Sequence, residues 1–93
     1  MNEDTIEKLR EIGWLQWDPI GLREELKRTP SIQDEYDRYL LAAYEMAGSE
    51  GGFSKIVTYL LEIEKDYMGL GERPDSLLRS RETASAVVKI RTV

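Results

Sequence analysis

Residues 31–48, SIQDEYDRYLLAAYEMAG, decide the fold of this chain. Apolar and aromatic side chains recur here at steps of three and four residues, the period of one helix face; they are Ile32, Tyr36, Tyr39, Leu40, Ala43, Tyr44 and Ala47. Thr29 or Ser31 is placed to cap this helix, and Pro30 suits its first turn. Gly48 is expected to end it. The stretch predicts a helix whose tyrosine face lies in a core; a surface that stacks on bases is the alternative.

One further helix is predicted on each side of this stretch. The earlier one begins at Asp4 with a capping-box pattern, and Gly13 is expected to end it in the left-handed C′ position. The later one follows the loop of residues 48–52 and has Gly69 as its C-cap. Its apolar side chains, again at helical spacing, are Phe53, Ile56, Val57, Leu60, Ile63, Tyr67 and Met68.

A fourth helix is predicted from about Asp75 to Lys89, with a less regular apolar face on which Arg81 also falls. The apolar side chains that it would bury are Leu77, Ala84, Val87 and Val88. An extended run from Val87 to Val93 is the alternative for the end of the chain. The sequence therefore predicts a single all-α domain over residues 1–93, a compact bundle of three helices plus a fourth, C-terminal helix.

The connector between the first two helices carries the turn Trp17-Asp18-Pro19-Ile20-Gly21. Pro19 fixes φ at the second position of a β-turn, and Asp18 is suited to accept hydrogen bonds from nearby backbone N–H groups. Gly21 is expected at positive φ, and Ile20 is expected to point inward. This makes the turn a structural corner; a rigidly held, exposed acceptor at Asp18 is the functional alternative.

Two tryptophans and a short amphipathic segment flank this corner. Trp14 and Trp17 are expected to close one end of the bundle, and an anchor for a binding partner is the alternative. Residues 22–28 predict a helix of one or two turns, kept short by Pro19 and Pro30.

Composition and charge exclude several classes of function. The chain has 93 residues, 13 Lys/Arg, 18 Asp/Glu, no His and no Cys, which excludes imidazole catalysis, thiolate nucleophiles and disulfides. Residues 1–72 contain 8 Lys/Arg and 16 Asp/Glu, whereas residues 73–93 contain 5 and 2. Such an acidic body argues against nucleic acid as the ligand, and the basic tail is expected to pack on the body or to stay solvated. No apolar run is long enough for a membrane span, and the lack of cysteine and of a secretory signature predicts a cytoplasmic protein.

Carboxylates are the remaining candidates for chemistry. Asp34 and Asp37 share a helix face, and Asp18 would approach them if the connector folds back. Three carboxylates, with Glu64 as an additional candidate, would suit Mg²⁺ or Ca²⁺. The structural alternative assigns Asp34 to the helix N-terminus and Asp37 to a surface ion pair.

Three blocks occur in the order seen in a group of small bacterial proteins: Trp17-Asp18-Pro19-Ile20-Gly21, then Asp34-Glu35-Tyr36-Asp37 with Tyr39, then a Leu-rich helix ending in Tyr67-Met68-Gly69-Leu70. Over residues 14–70 the chain resembles this bacterial helical-bundle family, a domain of unknown function. The resemblance implies a small four-helix bundle and no particular activity.

These observations together predict a non-enzymatic protein-interaction module without a cofactor or a bound metal. Its concrete form would be an immunity-type inhibitor of a partner with a basic surface, acting as a monomer or a homodimer. A carboxylate-based site for a divalent metal or another ligand, hydrolytic in its strongest form, is the alternative function. The candidate binding residues are Trp17, Asp18, Asp34, Tyr36 and Asp37.

Overall fold

Helices account for nearly all regular structure in the computed structural model, which describes residues 3–70 and 73–92. These residues form five α-helices and no strand: α1 (Glu3–Ile12), α2 (Arg23–Arg28), α3 (Asp37–Ala47), α4 (Gly52–Glu62) and α5 (Ser76–Thr92). The predicted all-α fold is confirmed. The four predicted helices correspond to α1, α3, α4 and α5, and the short connector helix corresponds to α2.

The helices α3 and α5 hold the bundle together, because each packs against α1, against α4 and against the other. The core between them is apolar and aromatic; its buried members are Leu9, Trp14, Trp17, Tyr36, Tyr39, Leu40, Ala43, Ile56, Leu60, Ala84 and Val87. The tyrosine face of α3 and both tryptophans are therefore core, as the structural interpretation predicted. No helix in the described ranges combines the length and the apolarity needed to cross a bilayer.

The end of α1 differs from the prediction. Gly13 is not left-handed but begins a π-helical turn, Gly13–Trp17, which ends at Asp18 with a φ of 30°. A Cβ on Gly13 would lie 3.2 Å from side-chain atoms of both Leu40 and Tyr36. A side chain at position 13 would therefore be tightly packed against Leu40 and Tyr36, so glycine suits this position through close approach rather than through its backbone conformation.

The predicted β-turn is present after this π turn. The N–H of Gly21 donates to the carbonyl of Asp18 at 3.1 Å, and Gly21 has a φ of 76°. The expectation that Ile20 points inward is wrong: Ile20 is 42% exposed, and Pro19 is buried instead. Arg73 also donates a hydrogen bond to the carbonyl of Pro19.

The segment before α3 is also less regular than predicted. Pro30–Asp34 form a 3-10 helix, and α3 begins at Asp37. Neither helix has a side-chain cap, so the predicted capping by Thr29 or Ser31 is wrong. At its other end α3 stops before Gly48, as predicted.

The third predicted helix is divided in two. α4 ends at Glu62 and continues as a second π-helical turn, Ile63–Tyr67, and Gly69 then takes the expected positive φ, 68°. Phe53 and Tyr67 were predicted on its buried face but are 39% and 64% exposed. The π turn explains the exposure of Tyr67. Its hydrogen bonds join residues i and i+5 instead of i and i+4, which rotates the following side chains off the buried face of the α-helix.

The C-terminal segment is helical through Thr92, so the extended alternative is wrong for residues 87–92, and Val93 lies outside the described residues. Ala84 and Val87 are buried as predicted, whereas Leu77 is 50% exposed and Arg81 is exposed. The face of α5 that packs on the bundle carries mainly small side chains; it consists of Ser76, Ser80, Thr83, Ala84 and Val87. Small residues let the backbone of α5 approach α1, α3 and α4 closely, which larger leucines would prevent.

Candidate functional site

The two π-helical turns face each other across a buried hydrogen bond. The indole N–H of Trp17, at the end of the first turn, donates to Oε2 of Glu64 in the second at 3.0 Å. Both residues are only 1% exposed. The sequence predicted Glu64 only as an additional metal candidate, but it lies in the core, one turn beyond Leu60 and two beyond Ile56.

The other carboxylate oxygen of Glu64 is held by cations from the C-terminal part of the chain. Oε1 accepts from a guanidinium N–H of Arg79, and Arg73 lies 3.9 Å away. Arg79 also pairs with Asp75 at 2.7 Å, and its hydrogen bond lowers the pKa of that exposed carboxyl. Nε of Arg79 is buried and has no partner among the described residues. This part of the basic tail therefore packs on the acidic body, one of the two predicted alternatives.

Asp18 is a structural acceptor. Its Oδ1 accepts from the N–H of Leu22 at 2.9 Å and from the phenol of Tyr36 at 2.8 Å, and Arg23 lies 3.9 Å from Oδ2. Burial and this hydrogen bond together raise the pKa of Tyr36 well above its usual value. The ring of Tyr36 also packs edge-on against Trp17, with centroids 5.4 Å apart. Trp17, Asp18 and Tyr36 thus form one internal cluster that closes the corner.

This cluster predicts a loss of stability at alkaline pH. The folded state keeps the Tyr36 phenol protonated, whereas the unfolded phenol ionises near pH 10. The contribution of Tyr36 to stability is therefore complete below about pH 10 and is lost as the pH rises above it. We expect Tyr36→Phe to cost about 1.5–3 kcal/mol at neutral pH, because it removes a hydrogen bond to a charged group.

Tyr36→Phe should also reduce the loss of stability at alkaline pH. The difference in the free energy of unfolding between wild type and Tyr36→Phe should therefore narrow as the pH rises from about 8 to about 11. Urea unfolding across this pH range measures that difference. The matched control is Tyr67→Phe, since Tyr67 is 64% exposed. A difference that stays constant with pH would show that Tyr36 ionises normally in the folded protein.

Asp37 forms a partly buried ion pair with Arg10, whereas Asp34 has no ion-pair partner among the described residues. Arg10 from α1 donates to both oxygens of Asp37, the shortest contact being 2.6 Å. This hydrogen bond is the main cause of the raised pKa of Arg10, and the charge of Asp34 adds to it. Asp34 and Glu35 are exposed, and neither has an ion-pair partner within the described part of the chain.

A shallow groove of about 390 Å³ lies where these carboxylates meet the first turn of α3. We call it the α3 groove; it is lined by Asp34, Glu35, Asp37, Arg38 and Leu41. At its edge the guanidinium of Arg38 lies 5.0 Å from the ring centroid of Tyr39 and 5.6 Å from that of Tyr67. The groove therefore combines carboxylates, a partly buried leucine and an arginine that lies over two tyrosine rings packed edge to face.

The predicted site residues thus lie in two places: Trp17, Asp18 and Tyr36 form the internal corner, and Asp34 and Asp37 line the α3 groove, where Asp37 pairs with Arg10. Asp18, Asp34 and Asp37 do not come together. Among residues 3–70 and 73–92, no group of three or more acidic side chains is placed to hold a metal ion. Arg38 was not predicted as a site residue, and Glu64 was predicted only as a metal candidate; the spacing of Glu64 from Ile56 and Leu60 was the signal that could have placed it in the core.

Comparison with protein-family models, with curated proteins and with solved structures finds no match to this chain. The resemblance to the bacterial helical-bundle family therefore stays a prediction.

Proposed function

We propose that this chain is a non-enzymatic protein-interaction module that binds a partner with a basic surface through the α3 groove. The observation that carries the proposal is the pair of exposed carboxylates, Asp34 and Glu35, without an ion-pair partner in the described ranges. They lie beside Leu41 in one groove. A lysine or arginine next to an apolar side chain would complement this arrangement.

The overall charge supports the same partner chemistry. The chain has a net charge of −5, and such a field raises the association rate of a cationic protein. Asp37 also lines the groove, where it pairs with Arg10. Binding would therefore be strongest at low salt, because exposed charges are screened over about 8 Å at physiological ionic strength.

The Arg38–Tyr67 contact supplies the second half of a binding surface. Arginine and tyrosine are enriched among the residues that dominate interface energies. Tyr67 is 64% exposed and is held in place by Arg38 above it and Tyr39 at its edge. It gives a partner an ordered aromatic anchor beside the acidic groove.

The concrete form of the proposal is an immunity-type inhibitor that neutralises a basic protein in the bacterial cytoplasm. It rests on the small acidic helical body, the absence of cysteine and the resemblance to the bacterial family. The α3 groove would cover the basic surface of the target.

The test compares two double variants that each remove two exposed negative charges. Asp34→Asn with Glu35→Gln changes the groove, and Glu45→Gln with Glu50→Gln is the control elsewhere on the surface. The probe is a lysine-rich peptide containing leucine, titrated at low salt into isotopically labelled protein and followed by NMR. We expect shifts concentrated at residues 34–41 and about tenfold weaker binding by the groove variant, with the control unchanged.

The groove variant should unfold within about 0.5 kcal/mol of wild type, because both residues are exposed. The same proteins serve as baits for capture from cells that express the chain natively. A stoichiometric partner that binds wild type and the control but not the groove variant supports the proposal. Shifts spread over the whole surface, or equal capture by both variants, would refute it.

A further inference from the structure

Within the described part of the chain, two arginines lie over tyrosine rings, one at each end of α3. At the start of α3 the guanidinium of Arg38 lies 5.0 Å from the ring centroid of Tyr39 and 5.6 Å from that of Tyr67. At the other end the guanidinium of Arg91 lies 4.8 Å from the centroid of Tyr44. A cation is attracted to an aromatic face within about 6 Å, so both contacts are favourable.

The contact of Arg91 is closed. A Cβ on Gly48 would lie 2.6 Å from a terminal nitrogen of Arg91, so the guanidinium packs against the end of α3 as well as over Tyr44. This arginine joins the end of α5 to the end of α3, which is a structural role.

The contact of Arg38 is open. Arg38 is exposed, and Tyr67 is 64% exposed. Arg38 also lines the α3 groove together with Asp34 and Glu35. Among residues 3–70 and 73–92, no carboxylate forms an ion pair with its guanidinium. The long side chain of Arg38 is therefore held over the rings without an anchoring salt bridge.

The position of Arg38 in α3 shows what favours a cation here. Since α3 begins at Asp37, Arg38 lies in the first turn, at the positive end of the helix dipole, which disfavours a positive charge. The pKa of Arg38 is nevertheless raised, mainly by its hydrogen bond with Tyr39, and the charge of Glu35 adds to this rise. The tyrosines and the neighbouring carboxylate thus create a place for a guanidinium, and that place does not depend on which chain supplies the guanidinium.

We propose that Tyr39 and Tyr67 form an arginine-binding subsite of the α3 groove, which Arg38 fills in the free protein and an arginine of the basic partner fills in the complex. Arginine is the expected ligand because its planar guanidinium stacks on aromatic faces, whereas the lysine ammonium is compact and strongly hydrated. This inference rests on the proposed function, since it names the side chain of the partner that the groove selects.

The subsite makes Arg38 an internal competitor. Two cations cannot occupy the same ring faces, so the partner binds only to the fraction of molecules in which Arg38 has moved away. The apparent affinity is reduced by that fraction. Removing Arg38 should therefore strengthen the binding of an arginine-containing partner, although Arg38 itself lines the groove.

The first test follows Arg38 directly by NMR. Wild-type protein is titrated at low salt with an arginine-rich peptide containing leucine, and with a matched peptide in which lysine replaces each arginine. The rings of Tyr39 and Tyr67 shift the side-chain protons of Arg38 upfield in the free protein. We expect the arginine peptide to return these protons toward their random-coil positions while its own arginine protons move upfield, and the lysine peptide to do so less.

The two hypotheses fail in different ways in this titration. If both peptides shift residues 34–41 but the Arg38 protons stay in place, the proposed function stands and the subsite is refuted. If neither peptide shifts residues 34–41, the proposed function is refuted, and the subsite with it.

The second test measures affinity for the arginine peptide in variants of exposed residues, which should all fold. Arg38→Ala should bind about threefold more tightly, because the rings are vacated. Arg91→Ala is the matched control, since it removes an equal charge from a tyrosine at the other end of α3, and it should bind like wild type.

A double variant separates the rings from the change in charge. Arg38→Ala combined with Tyr67→Leu should lose the threefold gain, because the exposed ring of the subsite is missing. Equal or weaker binding by Arg38→Ala than by wild type, or a gain that persists in the double variant, would overturn the proposal.

Discussion

Glu64→Ala should lower the free energy of unfolding by about 3–5 kcal/mol, which is a large part of the stability of a small domain. The substitution removes the buried one of the two carboxylates that pair with Arg79, leaving only the exposed Asp75, and Nε of Arg79 already has no partner among the described residues. It also removes the acceptor of the Trp17 indole N–H. Urea unfolding followed by circular dichroism measures the loss.

Two comparisons show whether the loss comes from the unpaired charge. Glu62→Ala changes an exposed glutamate in the same helix and should stay within about 0.5 kcal/mol of wild type. Glu64→Leu combined with Arg79→Leu removes both charges, and replacing a buried pair by apolar side chains is often neutral or stabilising. The double variant should therefore be more stable than Glu64→Ala. A cost below about 1 kcal/mol for Glu64→Ala would contradict this account.

Trp17→Ala should cost a similar amount, about 3–5 kcal/mol, because it leaves a cavity in the core in place of a fully buried indole. The indole is 1% exposed and packs edge-on against Tyr36 and Tyr39. Tryptophan fluorescence changes with the substitution itself, so far-ultraviolet circular dichroism is the appropriate probe of unfolding.

Trp17→Phe separates packing from hydrogen bonding. It keeps an aromatic ring in the core but leaves Glu64 without the indole donor, and we expect a smaller cost of about 1–3 kcal/mol. The prediction also tests the alternative role of Trp17 as a partner anchor. A Trp17→Ala protein of unchanged stability that fails to bind the lysine-rich peptide would favour that alternative.

Local patterns predicted the elements of this fold well. The three- and four-residue spacing in residues 31–48 predicted α3 and its buried tyrosines, and Gly21 and Gly69 have the positive φ that their turns require. A helix face and a turn depend on residues that are close together in the sequence, so the spacing of apolar residues and the presence of a turn-forming glycine suffice to predict them.

The buried face of α5 could not be predicted in the same way. A search for apolar periodicity selects Leu77, but the bundle buries Ser76, Ser80 and Thr83. Which side chains of α5 are buried depends on the space between α1, α3 and α4, and no local sequence pattern encodes that space. The exposure of Ile20 was not predictable from the turn either, because the turn contacts distant parts of the chain: Arg73, more than fifty residues away, donates to the Pro19 carbonyl.

The candidate site was predicted in residue type but not in arrangement. Asp18, Asp34 and Asp37 were recognised as carboxylates at a corner and near a helix start, yet their roles depend on Tyr36 and Arg10. Two of the three are held by internal hydrogen bonds, and only Asp34 is left for a partner.

The sequence by itself determined that the chain is helical, acidic and without histidine or cysteine, because composition and periodicity express those properties directly. The tertiary structure decided which carboxylates are buried, paired or exposed. That decision depends on contacts between residues far apart in the chain, such as Trp17 with Glu64, and on the two π-helical turns that bring them within hydrogen-bond distance.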